Sequence, residues 1–296
     1  MIENKEIPLY NYINNFGDEL SPYIVEKLSG CRTYFLKPFS FKKFFIDIIR
    51  YCKYIRNKNI RKRILAYSLR KKVLLAVGSI IAEATDNCIV WGAGISSIDV
   101  MVNKKCEIRA VRGPLTMERL KVLDINTSNI AVGDPALLMP LLYKAVSVKK
   151  YKCGIIPHNV DFEYINGLYK DCENVLIISL RTKNVEKVID EINSCGYIFS
   201  SSLHGLIVAH AYQIPAIQIE VKHNQIGGDG SKFLDYFYSV GIPPYSPLNV
   251  DYMQLDKLPN YTKEKLLPSR NKVKVMQAEL LKSFPYYLCR DFEQLI

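Results

Sequence analysis

The second half of the chain alternates short β-rich runs with stretches of helical periodicity, and this alternation constrains the fold more than any other feature. The β-rich runs are 152–157, 174–180, 197–200 and 216–220. The helical patterns are 162–172, 185–195, 204–212 and 232–240. Strand–helix repetition of this kind is typical of a parallel sheet with helices on both faces. The sequence therefore predicts an α/β fold.

The first half shows a looser version of the same pattern. Its predicted strands are 7–12, 73–77, 88–91 and 107–111, and its predicted helices are 18–28 and 114–123. We expect two Rossmann-like domains, an N-terminal one over 1–148 and a C-terminal one over 149–268. The last segment, 269–296, has a helical pattern and would return to brace the first domain. Two such domains facing each other form a ligand cleft at the carboxyl ends of their strands.

Composition and cysteine usage indicate a cytoplasmic protein. The chain has 296 residues, 49% hydrophobic and 23% charged, which is the balance of a globular protein. The longest apolar run, Val73–Ala82, is interrupted by Gly78 and Ser79 and falls short of the roughly 18 residues that span a bilayer. The polar N-terminus predicts no signal peptide. Eight scattered cysteines without a C-x-x-C pair indicate reduced thiols.

The excess positive charge is concentrated in residues 41–72. The net charge is +11, and this segment holds 12 of the 40 basic residues and one of the 29 acidic ones, so the remainder is balanced. Apolar residues within 41–56 follow the periodicity of an amphipathic helix. Such a helix binds an anionic membrane surface or packs on the protein core. A nucleic-acid partner is not expected, because no RNA- or DNA-binding signature is present.

The run Ser200-Ser-Ser-Leu-His-Gly205 is the most specific motif in the sequence. A predicted strand ends in three serines, and a helix then opens with His204 in its first turn. Backbone N–H groups and the helix dipole make such a turn a site for anions. His204 there would bind a phosphate or carboxylate or transfer a proton, and the alternative is a capping turn with an incidental histidine.

Arg112 stands where a predicted strand passes into the helix that opens at Gly113-Pro114. A guanidinium at this edge of the cleft can hold a carboxylate or phosphate in a bidentate fork. A structural ion pair is the alternative, and the sequence leaves both open.

Other strand-end turns carry polar tips. They contain Asn15 and Asp18, Asp134, and His158. A glycine-rich run, Gly227–Lys232, includes Asp229 and enters a helix, as a loop that closes over a substrate would.

Several cofactor motifs are absent from the sequence. Trp91-Gly-Ala-Gly-Ile lacks the third glycine of a dinucleotide-binding loop, and no P-loop occurs. D-x-D and G-x-S-x-G motifs are also missing. No Cys/His cluster has the spacing of zinc ligands. We therefore expect no cofactor and no metal.

Taken in order, these runs resemble the polysaccharide pyruvyltransferase family. The resemblance extends from about residue 8 to about 241, on the following runs: Asn15–Asp18, Arg112–Thr116, Gly133–Ala136, Ile156–His158, Ser201–Ile207 and Lys232–Tyr236. Some relatives carry an arginine just before the Leu-His pair, where this chain has Ser202. The family resemblance implies a fold like the two-domain glycosyltransferases of the B type. It also implies phosphoenolpyruvate as donor, a sugar hydroxyl pair as acceptor and a cyclic pyruvate ketal on a bacterial cell-surface glycan as product.

With that chemistry, the candidate residues take roles. We expect Arg112 to clamp one anionic group and the Ser200–His204 turn to hold the other. His204 would act as the general acid and protonate either the enol methylene or the leaving phosphate. Asp18 and Asp134 are candidates for a base or an acceptor contact. The remaining candidates for substrate binding are Asn15, His158, Ser201, Ser202, Leu203, Gly205, Asp229 and Lys232.

The family resemblance also gives the basic segment a purpose. Such glycans are assembled on lipid carriers at the cytoplasmic membrane face, where the predicted basic helix would dock. Two alternatives remain open from the sequence. One is a nucleotide-sugar-dependent glycosyltransferase of similar fold, and the other is a non-catalytic membrane-docking protein of glycan assembly.

Overall fold

A computed structural model describes residues 6–12, 15–38, 49, 71–146, 148–221, 228–252 and 267–295. These residues form an α/β fold with two parallel sheets. The basic helix predicted over 41–56, and nearly all of the segment 41–72, lies outside the described residues.

The first sheet is built from the first half of the chain. Its strands are β1 (Glu6–Leu9), β2 (Arg32–Phe35), β3 (Val73–Leu75), β4 (Cys88–Trp91), β5 (Glu107–Val111) and β6 (Ala131–Val132). They lie in the order β2-β1-β3-β4-β5-β6, and all neighbours are parallel. Every residue of β3 and β4 is buried, as expected for central parallel strands covered on both faces.

The second sheet is built from the second half. Its strands are β7 (Tyr151–Ile156), β8 (Val175–Ile177), β9 (Cys195–Ser200), β10 (Ala216–Glu220) and β11 (Leu248–Asn249). They lie in the order β11-β10-β9-β7-β8 and are also parallel throughout.

Helices connect the strands and cover the sheets. They are α1 (Phe16–Ser29), α2 (Pro114–Val122), α3 (Met139–Leu142), α4 (Phe162–Tyr169), α5 (Val185–Asn193), α6 (Leu203–Ala211), α7 (Ser231–Val240), α8 (Arg270–Lys282) and α9 (Arg290–Glu293). Short 3-10 helices occur at Ile81–Glu83, Pro135–Leu138 and Val250–Tyr252. The strand–helix alternation predicted for the second half is confirmed, whereas β2, β6 and β11 were not predicted.

Helix α6 is buried on all sides, which accounts for its apolar sequence. Seven consecutive residues, Gly205–Ala211, are buried, together with Leu203. The helix packs on β9 and β10 of its own sheet and on the 3-10 helix Pro135–Leu138 of the first half. A helix covered on every face carries no polar stripe, so this packing explains the run Leu-Ile-Val-Ala.

The two halves of the chain share one continuous core. A single cluster of buried apolar residues includes Ile7 and Trp91 of the first sheet as well as Ile156 and Ile207 of the second half. Polar contacts also join the halves: the Phe16 backbone N–H donates to Leu180 O at 2.9 Å.

Helix α8 packs against the first half of the chain. It contacts β6 and the 3-10 helix Pro135–Leu138. The indole Nε1 of Trp91 donates to Leu280 O at 3.0 Å, and Gln277 Nε2 donates to Leu137 O at 2.7 Å. In the described part of the chain, no helix has the length and apolar character needed to cross a membrane.

The strand orders place a switch point in each sheet. In the first sheet, β2 lies on one side of β1 and β3 lies on the other, so the order of the strands reverses between β1 and β3. A crevice for a ligand therefore opens at the carboxyl ends of β1 and β3. In the second sheet, β8 and β9 flank β7, so the crevice opens after β7 and β9. Ligands of open parallel sheets bind at the carboxyl ends of strands at such switch points.

Candidate active site

A cleft of about 160 Å³ opens where the two switch points meet. Its lining residues come from the turns that follow β1, β3, β7, β8 and β9, and from the start of α7. They are Asn15, Asp18, Ser79, His158, Asn159, Leu180, Ser202, Leu203, His204 and Lys232. The structure thus brings together seven of the residues singled out from the sequence, from both halves of the chain.

The first turn of α1 forms one wall of the cleft. Asn15 caps this helix, its side-chain oxygen accepting from the Asp18 backbone N–H at 3.1 Å. The Asn15 amide donates in turn to Asp18 Oδ2 at 2.5 Å. Burial, with a smaller effect of Glu19, raises the pKa of Asp18 to about 7. This carboxyl group can therefore exchange a proton near neutral pH.

The start of α6 forms another part of the cleft wall. Ser200 Oγ lies 3.0 Å from Ile156 O and accepts from the Ser202 backbone N–H at 3.0 Å, which fixes the turn after β9. A Cβ on Gly205 would come within 2.5 Å of Ser200 Oγ, so a glycine lets the helix approach the turn. Ser202 stands at the N-cap without capping the helix. The first-turn N–H groups of α6 therefore remain available to a ligand.

His204 lies at the point where these two parts of the wall meet. A Cβ on Gly17 would lie 2.4 Å from His204 Nδ1, so the ring rests on the first turn of α1. Its Nε2 is buried and has no hydrogen-bond partner in the part of the chain that the structure describes. Burial, together with the positive charges of Arg112 and Lys232, lowers the pKa of His204 to about 3. The imidazole of the free protein is thus neutral at physiological pH.

Lys232 supplies a positive charge to the cleft from the first turn of α7. Its ammonium lies over the Phe233 ring, 5.4 Å from the centroid. Burial, and then repulsion by Arg112, lowers the pKa of Lys232. A partly desolvated ammonium of this kind gains more from binding an anion than a fully hydrated one does.

His158 and Ser201 belong to one hydrogen-bonded unit. Ser201 Oγ accepts from the His158 backbone N–H at 2.8 Å and donates to Asp161 Oδ2 at 2.8 Å. Burial, with repulsion by Lys232, lowers the pKa of His158, while Asp161 opposes the shift. Ser201 thus supports the turn that presents His158 and does not line the cleft itself. Gly205 has a comparable supporting position.

Arg112 is fully buried behind the cleft rather than exposed at its edge. Its Nε donates to Asp235 Oδ2 at 3.1 Å, its Nη2 to Ile95 O at 2.6 Å, and its Nη1 to Ser79 Oγ at 2.7 Å. Asp235 also accepts from the backbone and side chain of Thr116. The structural ion pair left open by the sequence is therefore present, and the guanidinium does not reach the cleft directly.

Asp134 and Asp229 are not among the residues that line the cleft. Asp134 is fully buried and accepts from the Ala136 backbone N–H at 2.9 Å. Burial raises the pKa of Asp134 to about 6, against the effects of that N–H and of Arg112. Asp229 is exposed and accepts from the backbone N–H groups of Ile98 and Ser231. Both carboxylates hold loops in place and neither lines the cleft, so their role in substrate binding stays a prediction.

Three lining residues, Ser79, Asn159 and Leu180, were not predicted from the sequence. Ser79 follows β3, Asn159 follows β7 and Leu180 follows β8. His158 and His204 were predicted because they follow the carboxyl ends of strands, and the same criterion applies to these three residues. Ser79 was noted only as an interruption of an apolar run. Among the described residues, no group of three or more His, Cys, Asp or Glu side chains is placed to hold a metal ion.

Comparisons with known proteins show the family to which the chain belongs. The sequence model of the polysaccharide pyruvyl transferase family matches residues 15–223, a range that contains nine of the ten lining residues. An uncharacterized protein of Acanthamoeba polyphaga mimivirus is 33% identical over 172 residues, covering 56% of this chain and 59% of that protein. The succinoglycan biosynthesis protein ExoV of Rhizobium meliloti is 27% identical over 188 residues, covering 60% of this chain and 56% of ExoV.

The alignments therefore span less than two thirds of the length of these curated relatives. Among solved structures, a functionally uncharacterized protein of Klebsiella pneumoniae aligns with a TM-score of 0.42 at 13% identity. That alignment covers 90% of this chain and 93% of the other.

Proposed function

This chain belongs to the polysaccharide pyruvyl transferase family, and on that premise we propose that it transfers pyruvate from phosphoenolpyruvate to a sugar. The acceptor is a pair of hydroxyls, and the product is a cyclic pyruvate ketal on a bacterial cell-surface polysaccharide or its lipid-linked precursor. The name of ExoV refers to succinoglycan biosynthesis, which supports a glycan as acceptor.

The donor site is assigned to the start of α6. Phosphoenolpyruvate carries a phosphate and a carboxylate, so it needs cationic and N–H donors. The uncapped N-terminus of α6, Lys232 and His204 supply such donors at one wall of the cleft. The observation that carries the proposal is the buried and unpartnered Nε2 of His204 beside these groups.

His204 acts as the general acid of the proposed reaction. A phosphate dianion bound beside the imidazole favours its protonated form and so offsets the effects of burial, Arg112 and Lys232. His204 then protonates the enol methylene, C2 gains cationic character, and a sugar hydroxyl attacks C2. A positioned general acid of this kind contributes about 10²–10⁴-fold to the rate.

The protons of the two sugar hydroxyls complete the balance. The C2–O bond to phosphate breaks, and the second hydroxyl attacks C2 to close the ketal. One hydroxyl proton replaces the proton that His204 gave to the methyl group, and the other leaves with inorganic phosphate. Asp18 is the proposed base for the attacking hydroxyl, because its pKa of about 7 lets it accept and release a proton.

We also propose how the two halves of the chain are arranged and where in the cell the enzyme acts. We place the two halves in the arrangement of B-type glycosyltransferases, with the acceptor on the first half and the donor on the second. The enzyme acts at the cytoplasmic face of the membrane on a lipid-linked acceptor, and the segment 41–72 docks it to anionic lipid.

The test is acceptor-dependent release of inorganic phosphate from phosphoenolpyruvate with a panel of galactoside, glucoside and mannosamine acceptors. Mass spectrometry of the same samples should show an acceptor that has gained one pyruvate less one water. His204→Ala should lower turnover at least a hundredfold, and omission of the acceptor is the matched control.

Two results would contradict the proposal. One is turnover by His204→Ala within a few-fold of the parent. The other is preferential binding of a nucleotide-sugar with no affinity for phosphoenolpyruvate, which would indicate a glycosyltransferase.

A further inference from the structure

We infer that Ser79 binds the donor carboxylate and is the group through which the buried Arg112 acts on the substrate. The inference rests on the proposed function and assigns two of its residues: Ser79 as a binding residue and Arg112 as a positioning residue.

Ser79 is placed to contact a ligand in the cleft. It follows β3 at the switch point of the first sheet, is partly exposed, and lines the same cleft as Asn15 and Asp18. Gly78 before it has φ +122, a backbone conformation that favours glycine. This turn directs the chain from the buried strand to the cleft.

The Ser79 hydroxyl accepts one hydrogen bond within the described part of the protein, and its hydrogen remains able to donate another. Its oxygen accepts from Arg112 Nη1 at 2.7 Å, so its own hydrogen points elsewhere. Among the described residues, no group accepts that hydrogen. A hydroxyl that accepts from a guanidinium is a stronger donor, because hydrogen bonds in a chain polarise one another. An anion in the cleft is the partner that this arrangement favours.

The remaining bonds of Arg112 keep its charge in place. Nε and Nη2 are held by Asp235 and by Ile95 O. A Cβ on Gly94 would lie 2.5 Å from Arg112 Cζ, so a glycine admits the guanidinium at this position. One side of the guanidinium is thus paired with the Asp235 carboxylate, and the other side, at Nη1, donates to Ser79 in the cleft lining.

The carboxylate is the anionic group that fits Ser79. The phosphate dianion needs several donors, and the first turn of α6 with Lys232 offers them elsewhere in the cleft lining. Ser79 offers one charge-assisted hydroxyl, which suits one oxygen of a monoanionic carboxylate. A donor held in this way extends from the turn after β3 to the start of α6, both of which line the cleft.

The experiment measures the dissociation constants of phosphoenolpyruvate and of inorganic phosphate by calorimetry. Ser79→Ala should weaken phosphoenolpyruvate binding about tenfold or more, as expected for a lost hydrogen bond to a charged group, and should leave phosphate binding within twofold. Ser79→Thr keeps the hydroxyl and should stay near the parent. Ser97→Ala, on a neighbouring loop outside the cleft lining, is the matched control.

Arg112→Lys tests the positioning role. It should weaken phosphoenolpyruvate binding selectively relative to phosphate, and its effect should not add to that of Ser79→Ala. Where Arg112→Lys does not fold, the Ser79 variants decide alone.

Equal phosphoenolpyruvate affinity in Ser79→Ala and the parent would overturn the inference and leave the proposed function intact. Equal losses for both ligands would overturn the carboxylate assignment. A parent that binds no phosphoenolpyruvate would instead overturn the proposed function, and this inference with it.

Discussion

The imidazole of His204 rests directly on the backbone of Gly17, although the two residues belong to different halves of the chain. A Cβ at position 17 would lie 2.4 Å from His204 Nδ1 and 3.2 Å from its Cε1. The first turn of α1 therefore sets the position of the ring at the start of α6. The general acid of the proposed reaction is placed by a contact between the two halves.

Gly17→Ala should displace His204 and lower kcat/KM by about a hundredfold, because a misplacement of about 1 Å can cost that much. Overpacking should also cost about 1–3 kcal/mol of stability, which thermal unfolding would measure. Gly167→Ala in α4 is the control, since a Cβ there meets no atom within 4 Å. It should be neutral or stabilise the fold by about 0.4–1 kcal/mol. Full activity of Gly17→Ala would contradict the placement of His204.

Asp18→Asn should lower turnover by about 10²-fold or more, because it removes the proposed base. Although the substitution lowers turnover, it should raise the free energy of unfolding above pH 7. The folded pKa of Asp18 is raised to about 7, so the native protein holds a proton that the unfolded chain loses near pH 4. The stability from this group is present at low pH and is lost as the pH rises through about 7. Asp18→Asn should therefore be more stable than the parent above pH 7.

Urea unfolding at pH 5 and pH 8 would measure this difference for Asp18→Asn. Glu26→Gln, two turns later in α1 and outside the cleft lining, is the control and should keep activity. A parent and an Asp18→Asn variant with identical pH dependence would show that Asp18 is ionised normally.

The Arg112–Asp235 pair should be a main support of the fold. Asp235→Ala leaves a fully buried guanidinium unpaired, and breaking a buried pair in this way costs about 3–5 kcal/mol. The exposed pair Lys282–Glu279 offers the comparison, because Glu279→Ala should cost less than about 1 kcal/mol. Chemical denaturation measures both. Equal decreases in the free energy of unfolding for Asp235→Ala and Glu279→Ala would mean that the buried pair contributes no more to stability than the surface pair.

The basic segment should bind anionic membranes. Charge reversal at Arg56, Arg61 and Arg63, which lie outside the described residues, should weaken binding to anionic vesicles at least tenfold, since each nearby basic residue contributes about 1 kcal/mol. Reversal at the exposed Lys104, Lys105 and Lys121 makes the same change in net charge elsewhere and should have little effect. Cosedimentation at low and high salt measures this. Equal binding to neutral vesicles would exclude electrostatic docking.

Much of the fold could be predicted from periodicity, because helices and buried strands leave different spacings of apolar residues. The strands β6 and β11 have two residues each, too few for any period. The strand β2 lies at a sheet edge without a fully buried residue, so its residues carry no buried-strand pattern.

The cleft residues could be predicted to the extent that they follow strands. His204, His158 and Asp18 were found in this way. The partner of Arg112 could not be found, because Asp235 is 123 residues away along the chain. The contact of His204 with Gly17 likewise joins residues from the two halves of the chain, and no local pattern in the sequence indicates it.

The most direct test of the account is the binding of phosphoenolpyruvate itself, because it needs no acceptor. Calorimetry at pH 7 in buffers of different ionisation enthalpy measures both the affinity and the protons exchanged. His204 is neutral in the free protein, with a pKa of about 3, and a bound dianion favours its protonated form. We predict saturable binding by Asp18→Asn, which lacks the other cleft group that titrates near pH 7, with uptake of about one proton. That uptake should be lost when His204→Gln is added. No binding, or the same uptake with His204→Gln added, would contradict the account.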